Sequence, residues 1–340
     1  MTKNLDWENI GFEYMPTDMR YVSYYKNGKW DEGVMSPDPN VTLNECAGVF
    51  QYSQSCFEGL KAYTSAKGNI VIFRPDLNEK RMHDSCERLM MPTLPEGRFT
   101  EAVKKTVAAN SQWVPPYGSG ATLYIRPFMI GSGPVIGVAP APEYMFRVFS
   151  TPVGPYFKGG VHALKLKISE FDRAAPKGTG HIKAGLNYAM SLYATQLAHQ
   201  QGFDENVYLD AATRTKLEET GGANLLFVDK NNTVVTPKSD SILPSVTRRS
   251  LIAVASDYLG LKCEQREIYL DELSDMKECG LCGTAAVISP VGSIEDASHK
   301  YTFSVEENGM GPITKKLHEL LTGIQMEEID GPEGWVQKIL

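Results

Sequence analysis

Two periods of apolar and polar positions divide this chain, a period near two where strands are expected and one near 3.6 where helices are. In the first half, apolar and β-branched runs at residues 21–25, 70–73, 121–130 and 144–151 predict strands. Met82, Cys86, Leu89 and Met90 recur at helical spacing and predict a helix over 77–91, with a second over 99–113. In the second half, short apolar runs predict strands at 164–168, 206–209, 224–228, 233–235 and 284–289, and helices at 184–201, 246–259 and 313–325. Between the halves, TPVGPYFKGGVHA (151–163) carries two prolines and three glycines, the composition of an exposed connector. At 340 residues the chain exceeds the usual single-domain size. The expected organisation is therefore a small domain at 1–152, a connector at 153–164 and a larger domain at 165–340, in a fold of mixed α and β.

Charge and composition narrow the function classes. With 34 basic against 41 acidic residues, a net charge of −7 and no dense Lys/Arg block, nucleic acid and anionic membrane are not expected partners. The opening MTKNLDWENIGFEYMP has no apolar secretion core, and no apolar run approaches bilayer-spanning length, so a cytoplasmic protein is expected. Six scattered cysteines (Cys46, Cys56, Cys86, Cys263, Cys279, Cys282) fit a reducing compartment rather than a disulfide framework. Cys279 and Cys282 form a C-x-x-C pair, but no second pair or His pair stands at zinc spacing. We read them as small residues near a buried strand and expect no metal.

The candidate chemistry centres on Lys183, in PKGTGHIKAGLNY. Glycines at 178, 180 and 185 leave room beside it, and Leu186, Met190, Tyr193 and Leu197 continue as an amphipathic helix. Residues five apart do not share a helical face, so Lys183 is expected just before the helix and Tyr188 in its opening turns, both bordering one cavity. A lysine forming an imine with an aldehyde cofactor needs three kinds of partner: donors for a phosphate, a carboxylate for a pyridinium nitrogen, and a donor for the ring hydroxyl. Phosphate candidates are Arg74, Arg173, the first amides of a helix beginning at Val246 and Thr247, and the hydroxyl of Thr284. Glu219 is the ring-nitrogen candidate and Glu218 its competitor, followed by Gly221 and Gly222, which let backbone approach a ligand closely. Strand alternation sends Tyr124 and Arg126 to one side, a phenol and a guanidinium suited to a substrate carboxylate.

Eight ordered segments carry these residues: YSQSCFEGLKAY (52–63), FRPDLNEKRM (73–82), LYIRPFMIG (123–131), PVGPYFKGG (152–160), GHIKAGLNYA (180–189), EETGGANLLFV (218–228), ILPSVTRRSL (242–251) and CGTAAVISP (282–290). Together they resemble the branched-chain amino acid aminotransferases, pyridoxal-phosphate enzymes of fold type IV. The resemblance implies an α+β fold of two domains, a small one followed by a larger one with a barrel-like β core, and pyridoxal 5'-phosphate lying between them. It implies Lys183 as the Schiff-base lysine, Tyr188 on the ring oxygen and Glu219 on the pyridine nitrogen. Arg74, Val246, Thr247 and Thr284 would hold the phosphate, with Arg173 supporting that side. Phe12, Tyr52, Phe57, Tyr124, Arg126 and Tyr156 would line the substrate pocket, with Gly222 and Ala285 near the substrate carboxylate. Tyr52 would come from the partner of a homodimer. The implied reaction moves an amino group between L-leucine, isoleucine or valine and 2-oxoglutarate; a D-amino acid aminotransferase or an aminodeoxychorismate-type lyase is the alternative on the same scaffold. Some relatives place a redox-active C-x-x-C just after the GTA turn, where this chain has Ala286 and Ser289, so thiol regulation does not carry over.

Overall fold

The computed structural model describes residues 2–154, 161–306 and 309–340. The chain forms two compact units: Met1–Pro155 with Ile182–Leu186 and Gly323–Leu340, and Tyr156–His181 with Asn187–Thr322. Lys183, which a chain-order division puts in the second domain, packs in the first unit. The reason is local: its carbonyl accepts the Phe57 N–H at 3.0 Å, its N–H donates to Ser85 Oγ at 3.1 Å, and Ala184 bridges to Cys56.

The first unit is built on an antiparallel sheet ordered Val336–Lys338, Ile70–Phe73, Leu60–Thr64, Thr122–Gly131, Tyr144–Val153, Arg20–Lys26, Lys29–Trp30. Ser55–Phe57 pairs along the far end of Thr122–Gly131. Leu123, Ile125 and Met129 of that central strand meet Met82 and Cys86 of one helix and Phe99, Val103 and Val107 of another, so the apolar stripes of both helices find the same sheet face. The first helix, Pro75–Arg88, starts with proline at its first turn and carries Asp76 near its N-terminus and Arg88 in its last turn, each favoured by the helix dipole. The second, Arg98–Ala109, stops earlier than its periodicity predicts. Asn110 donates its amide to Met19 and Thr106 carbonyls and accepts the Met19 N–H, which ends the ladder and leaves Ser111–Trp113 as a 3₁₀ turn.

The second unit contains a closed six-stranded barrel: Leu217–Thr220, Glu205–Leu209, Leu164–Ile168, Val287–Glu295, Met276–Gly283, Asn224–Asp229 and back to Leu217–Thr220. Leu166, Val207, Leu217, Leu225, Phe227, Val291 and Ile294 form its core, so the barrel is filled rather than hollow. This is the α+β architecture with a barrel-like core that the resemblance implies. The strand expected at 284–289 is displaced: residues 284–286 are a turn and the strand runs Val287–Glu295. Cys279 and Cys282 lie on the barrel strand Met276–Gly283, 3% and 1% exposed, as small residues in a buried strand. Among the described residues no group of three or more His, Cys, Asp or Glu side chains is placed to hold a metal, and no helix is long and apolar enough to cross a membrane.

Candidate active site

In the first unit, Lys183 emerges immediately before the helix Gly185–Gln200, with its Nζ 4.9 Å from the centre of the Phe57 ring. The same ring takes the Arg126 guanidinium at 4.7 Å, and Arg126 Nη2 donates to Tyr124 Oη at 3.0 Å. Alternation along Thr122–Gly131 leaves Tyr124, Arg126 and Phe128 half-buried on the face opposite Leu123 and Ile125. The strand is central, paired on both sides, so Arg126 is not an edge residue. Arg74 caps the helix Pro75–Arg88 in the left-handed region, φ 46°, with its N–H on the Trp335 carbonyl at 2.7 Å and its guanidinium 4.3 Å from the Trp335 ring. A non-glycine residue held there before proline stores strain, which clusters at functional sites. Tyr52 donates to the Ile136 carbonyl, and Phe12 is exposed.

In the second unit, Glu219 sits at the end of the strand that closes the barrel, 3% exposed. Its Oε1 takes Arg173 Nη2 at 2.7 Å and the Leu243 N–H at 2.9 Å, and Oε2 takes the Asn224 side-chain amide. Burial pushes this carboxyl up, and the attraction of Arg173 followed by the Leu243 bond pulls against it. Glu218 points to the other strand face, where it accepts from Ser239 at 2.7 Å. Arg173 therefore serves the carboxylate expected on the ring nitrogen; the same Nη2 also donates to the carbonyls of Gly180 and Ser241.

The glycines expected to make room for a ligand mostly make room for protein. A Cβ on Gly180 would strike the Ser241 carbonyl and Arg173, and one on Gly185 would reach Ser55 Oγ at 3.0 Å. Gly222 differs, with open space beside it. It lines a cavity of 230 Å³ with Glu205, Thr284, Ala285 and Ser289. Tyr188 stands in the first turn of its helix, where the buried Asn187 holds Thr179 by two hydrogen bonds, 2.8 and 2.7 Å. Val246 and Thr247 open the helix Val246–Asp257; Ser245 caps it by accepting the Arg248 N–H at 3.1 Å, which leaves the Val246 and Thr247 amides at the positive end of the dipole. Val287, directly after the Thr284–Ala286 turn, has φ 64°, a costly conformation for a β-branched residue, held by its ladder partner Gly283. Tyr156 lies outside the described residues.

Sequence reasoning missed Asn224, the Leu243 amide and Ser85, which are contacts made by tertiary folding. It also missed Lys61, whose partner across the sheet is Tyr124. Burial pulls the Lys61 ammonium down to about 8, and its position two residues from Gly59 in an alternating strand was the available signal.

The class IV amino-transferase family model matches residues 55–294. A branched-chain-amino-acid aminotransferase of Haemophilus influenzae is 48% identical over 342 residues, covering 99% of this chain and 99% of that protein. One from Helicobacter pylori is 48% identical over 99% of this chain and 98% of its own length. Among solved structures, a branched-chain amino acid aminotransferase of Escherichia coli superposes with a TM-score of 0.79 at 26% identity, covering 95% of this chain and 100% of that one. That of Thermoproteus uzoniensis with norvaline gives 0.77 at 25% identity, over 94% of this chain and 100% of its own. A further branched-chain amino acid aminotransferase, solved with pyridoxamine 5'-phosphate, gives 0.79 at 26% identity, over 96% of this chain and 100% of its own. Matched by the family model over most of its length and by full-length relatives at 48% identity, this chain belongs to the class IV aminotransferases, within the branched-chain-amino-acid aminotransferases.

Proposed function

We propose that the chain catalyses reversible amino transfer between L-leucine, L-isoleucine or L-valine and 2-oxoglutarate, using pyridoxal 5'-phosphate anchored on Lys183. The observation that carries this reading is Glu219. A buried carboxyl given three donors, and still held above its ordinary range, fits a basic ring nitrogen with which it can share a proton. The anion-binding groups fit as well: the Val246 and Thr247 amides at a helix start, the Thr284 turn beside open space at Gly222, and the strained Arg74.

When bound, the cofactor supplies an electron sink that acidifies the substrate Cα–H. Lys183 would anchor the cofactor, and its Nζ, when the amine is free, would take up the substrate's Cα proton and give it back from the same atom. Glu219 would hold the ring nitrogen's proton, with Arg173 opposing the burial that raises its carboxyl, and Tyr188 would donate to the ring oxygen. Phe57 and Tyr52 offer aromatic surface to aliphatic side chains, while Arg126 and Tyr124 take the distal carboxylate of glutamate. Gly222 and Ala285 contribute backbone at the α-carboxylate. Two substrates use one site in turn, so kinetics are ping-pong.

The chain acts as a homodimer in the cytoplasm. Support comes from apolar side chains left in water, Phe12 at 55%, Ile136 at 78% and Val138 at 90% exposed, and from six free cysteines. Sedimentation of the purified protein checks the dimer. For the activity, borohydride reduction followed by peptide mass spectrometry is expected to find the cofactor on Lys183, with turnover of L-leucine only when an oxo acid is supplied. An adduct on another lysine, or turnover of D-alanine or of a chorismate-derived amine in preference, would overturn the assignment.

A further inference from the structure

The peptide of Lys183 is held on both sides. Its carbonyl accepts the Phe57 N–H at 3.0 Å, and its N–H donates to Ser85 Oγ at 3.1 Å. Ser85 is 1% exposed, and its hydroxyl has a single proton, which goes to the Arg81 carbonyl at 2.8 Å. That bond fixes the rotor, so the lone pairs are what Lys183 meets.

The two clamping residues are themselves locked together. Arg81 grips Glu58 with Nε and Nη2, each at 2.7 Å, and Asn78 adds a third donor at 2.7 Å. Glu58 is fully buried and its N–H reaches the Pro127 carbonyl at 2.7 Å, on the strand that presents Tyr124 and Arg126. Cys56 and Cys86, the chain neighbours of Phe57 and Ser85, touch Sγ to Sγ at 3.7 Å. A continuous buried framework thus joins the lysine backbone to the strand of Arg126.

We propose that Ser85 is a positioning residue for Lys183, setting the direction in which the amine leaves the backbone. The proposal rests on Lys183 being the cofactor anchor. A lysine side chain has four rotatable bonds, and holding its Nζ within about 0.5 Å of a working position requires a fixed Cα frame as well as packing along the stem. Phe57 supplies packing at the amine, and Ser85 with the Phe57 N–H supplies the frame.

The test uses Ser85→Ala and Ser85→Thr. With one hydrogen bond removed at a buried amide, Ser85→Ala is expected to lose about tenfold in kcat with KM for L-leucine little changed, and Ser85→Thr, which keeps the hydroxyl, to recover most of it. In cofactor-free protein, amide exchange in the peptide spanning 182–186 should rise about tenfold in Ser85→Ala and stay near wild type in Ser85→Thr. Unchanged exchange there, or equal loss in both variants, overturns the proposal while borohydride trapping on Lys183 leaves the anchor reading standing. Failure to trap the cofactor on Lys183 in the unmutated enzyme removes both. Should Ser85→Ala not fold, Ser85→Cys, a weaker acceptor, must show the same localised rise in exchange for the proposal to stand.

Discussion

Arg126 and Lys61 show how single side chains on one sheet face acquire different duties. Arg126 is flanked by two rings and bonded to Tyr124, which aims a permanent charge where a flexible lysine would wander. Charge-assisted hydrogen bonds contribute about 1.5–3 kcal/mol, so Arg126→Gln should lower kcat/KM for 2-oxoglutarate by roughly 10- to 100-fold and leave L-leucine nearly unaffected. Separate half-reaction kinetics check this; an equal loss for both substrates would show that Arg126 does not read the distal carboxylate. Lys61 has the opposite character: burial lowers its ammonium to about 8 from 10.5. The folded state therefore sheds this proton before the unfolded chain does, and stability gains from rising pH between those two values. Relative to Lys61→Met, the unmutated protein should gain about 2–3 kcal/mol between pH 8 and pH 10.5, read from urea unfolding at each pH.

At the scale of elements, the ends of helices are satisfied by residues far along the chain. The helix Pro312–Gln325 is preceded by Gly311, which has no side chain to cap it; instead Glu278, from a barrel strand, accepts the Ile313 N–H at 3.0 Å and the N–H and hydroxyl of Thr314 at 2.8 and 3.0 Å. Glycine is needed at 311, because a Cβ there would strike the Glu278 carboxylate. Glu278→Ala should cost about 1–2 kcal/mol, with Glu278→Gln costing less because an acceptor remains; urea midpoints that fail to separate the three proteins would remove this cap from the account. The barrel-closing strand Leu217–Thr220 makes a similar point. LEET has no strand pattern, and it pairs because both carboxylates find partners, Glu218 on Ser239 and Glu219 on Arg173. Amphipathic helices and alternating strands such as Thr122–Gly131 were legible because their period is written in consecutive residues. A four-residue strand with two acids was not, since what satisfies it lies up to 46 positions away at Arg173.

Over the whole molecule, the barrel decides what the C-x-x-C pair can do. Cys279 faces the barrel core and Cys282 the opposite face of the same strand, near Arg248, and burial keeps both protonated, Cys282 being pushed up to about 12. Thiolate is the reactive form, so both should resist Ellman's reagent in native protein at pH 7.5, while Cys46 and Cys263, each partly exposed, react first. Peptide mapping of the labelled cysteines checks this, and rapid native labelling at 279 or 282 would contradict the packing described. The sequence by itself determined the longer helices, the strands Thr122–Gly131 and Tyr144–Val153, the shared face of Tyr124 and Arg126 and the place of Lys183 ahead of its helix, because each follows from a local period and the chemistry of neighbouring residues; the barrel strand Met276–Gly283 carried no such pattern. Only the tertiary structure decided that Arg173 serves Glu219, that Gly180 clears protein rather than ligand, and that Ser85 and Phe57 hold Lys183. Those outcomes depend on which buried donors and acceptors are left for one another once the sheet and the barrel have closed, and no local pattern encodes that remainder.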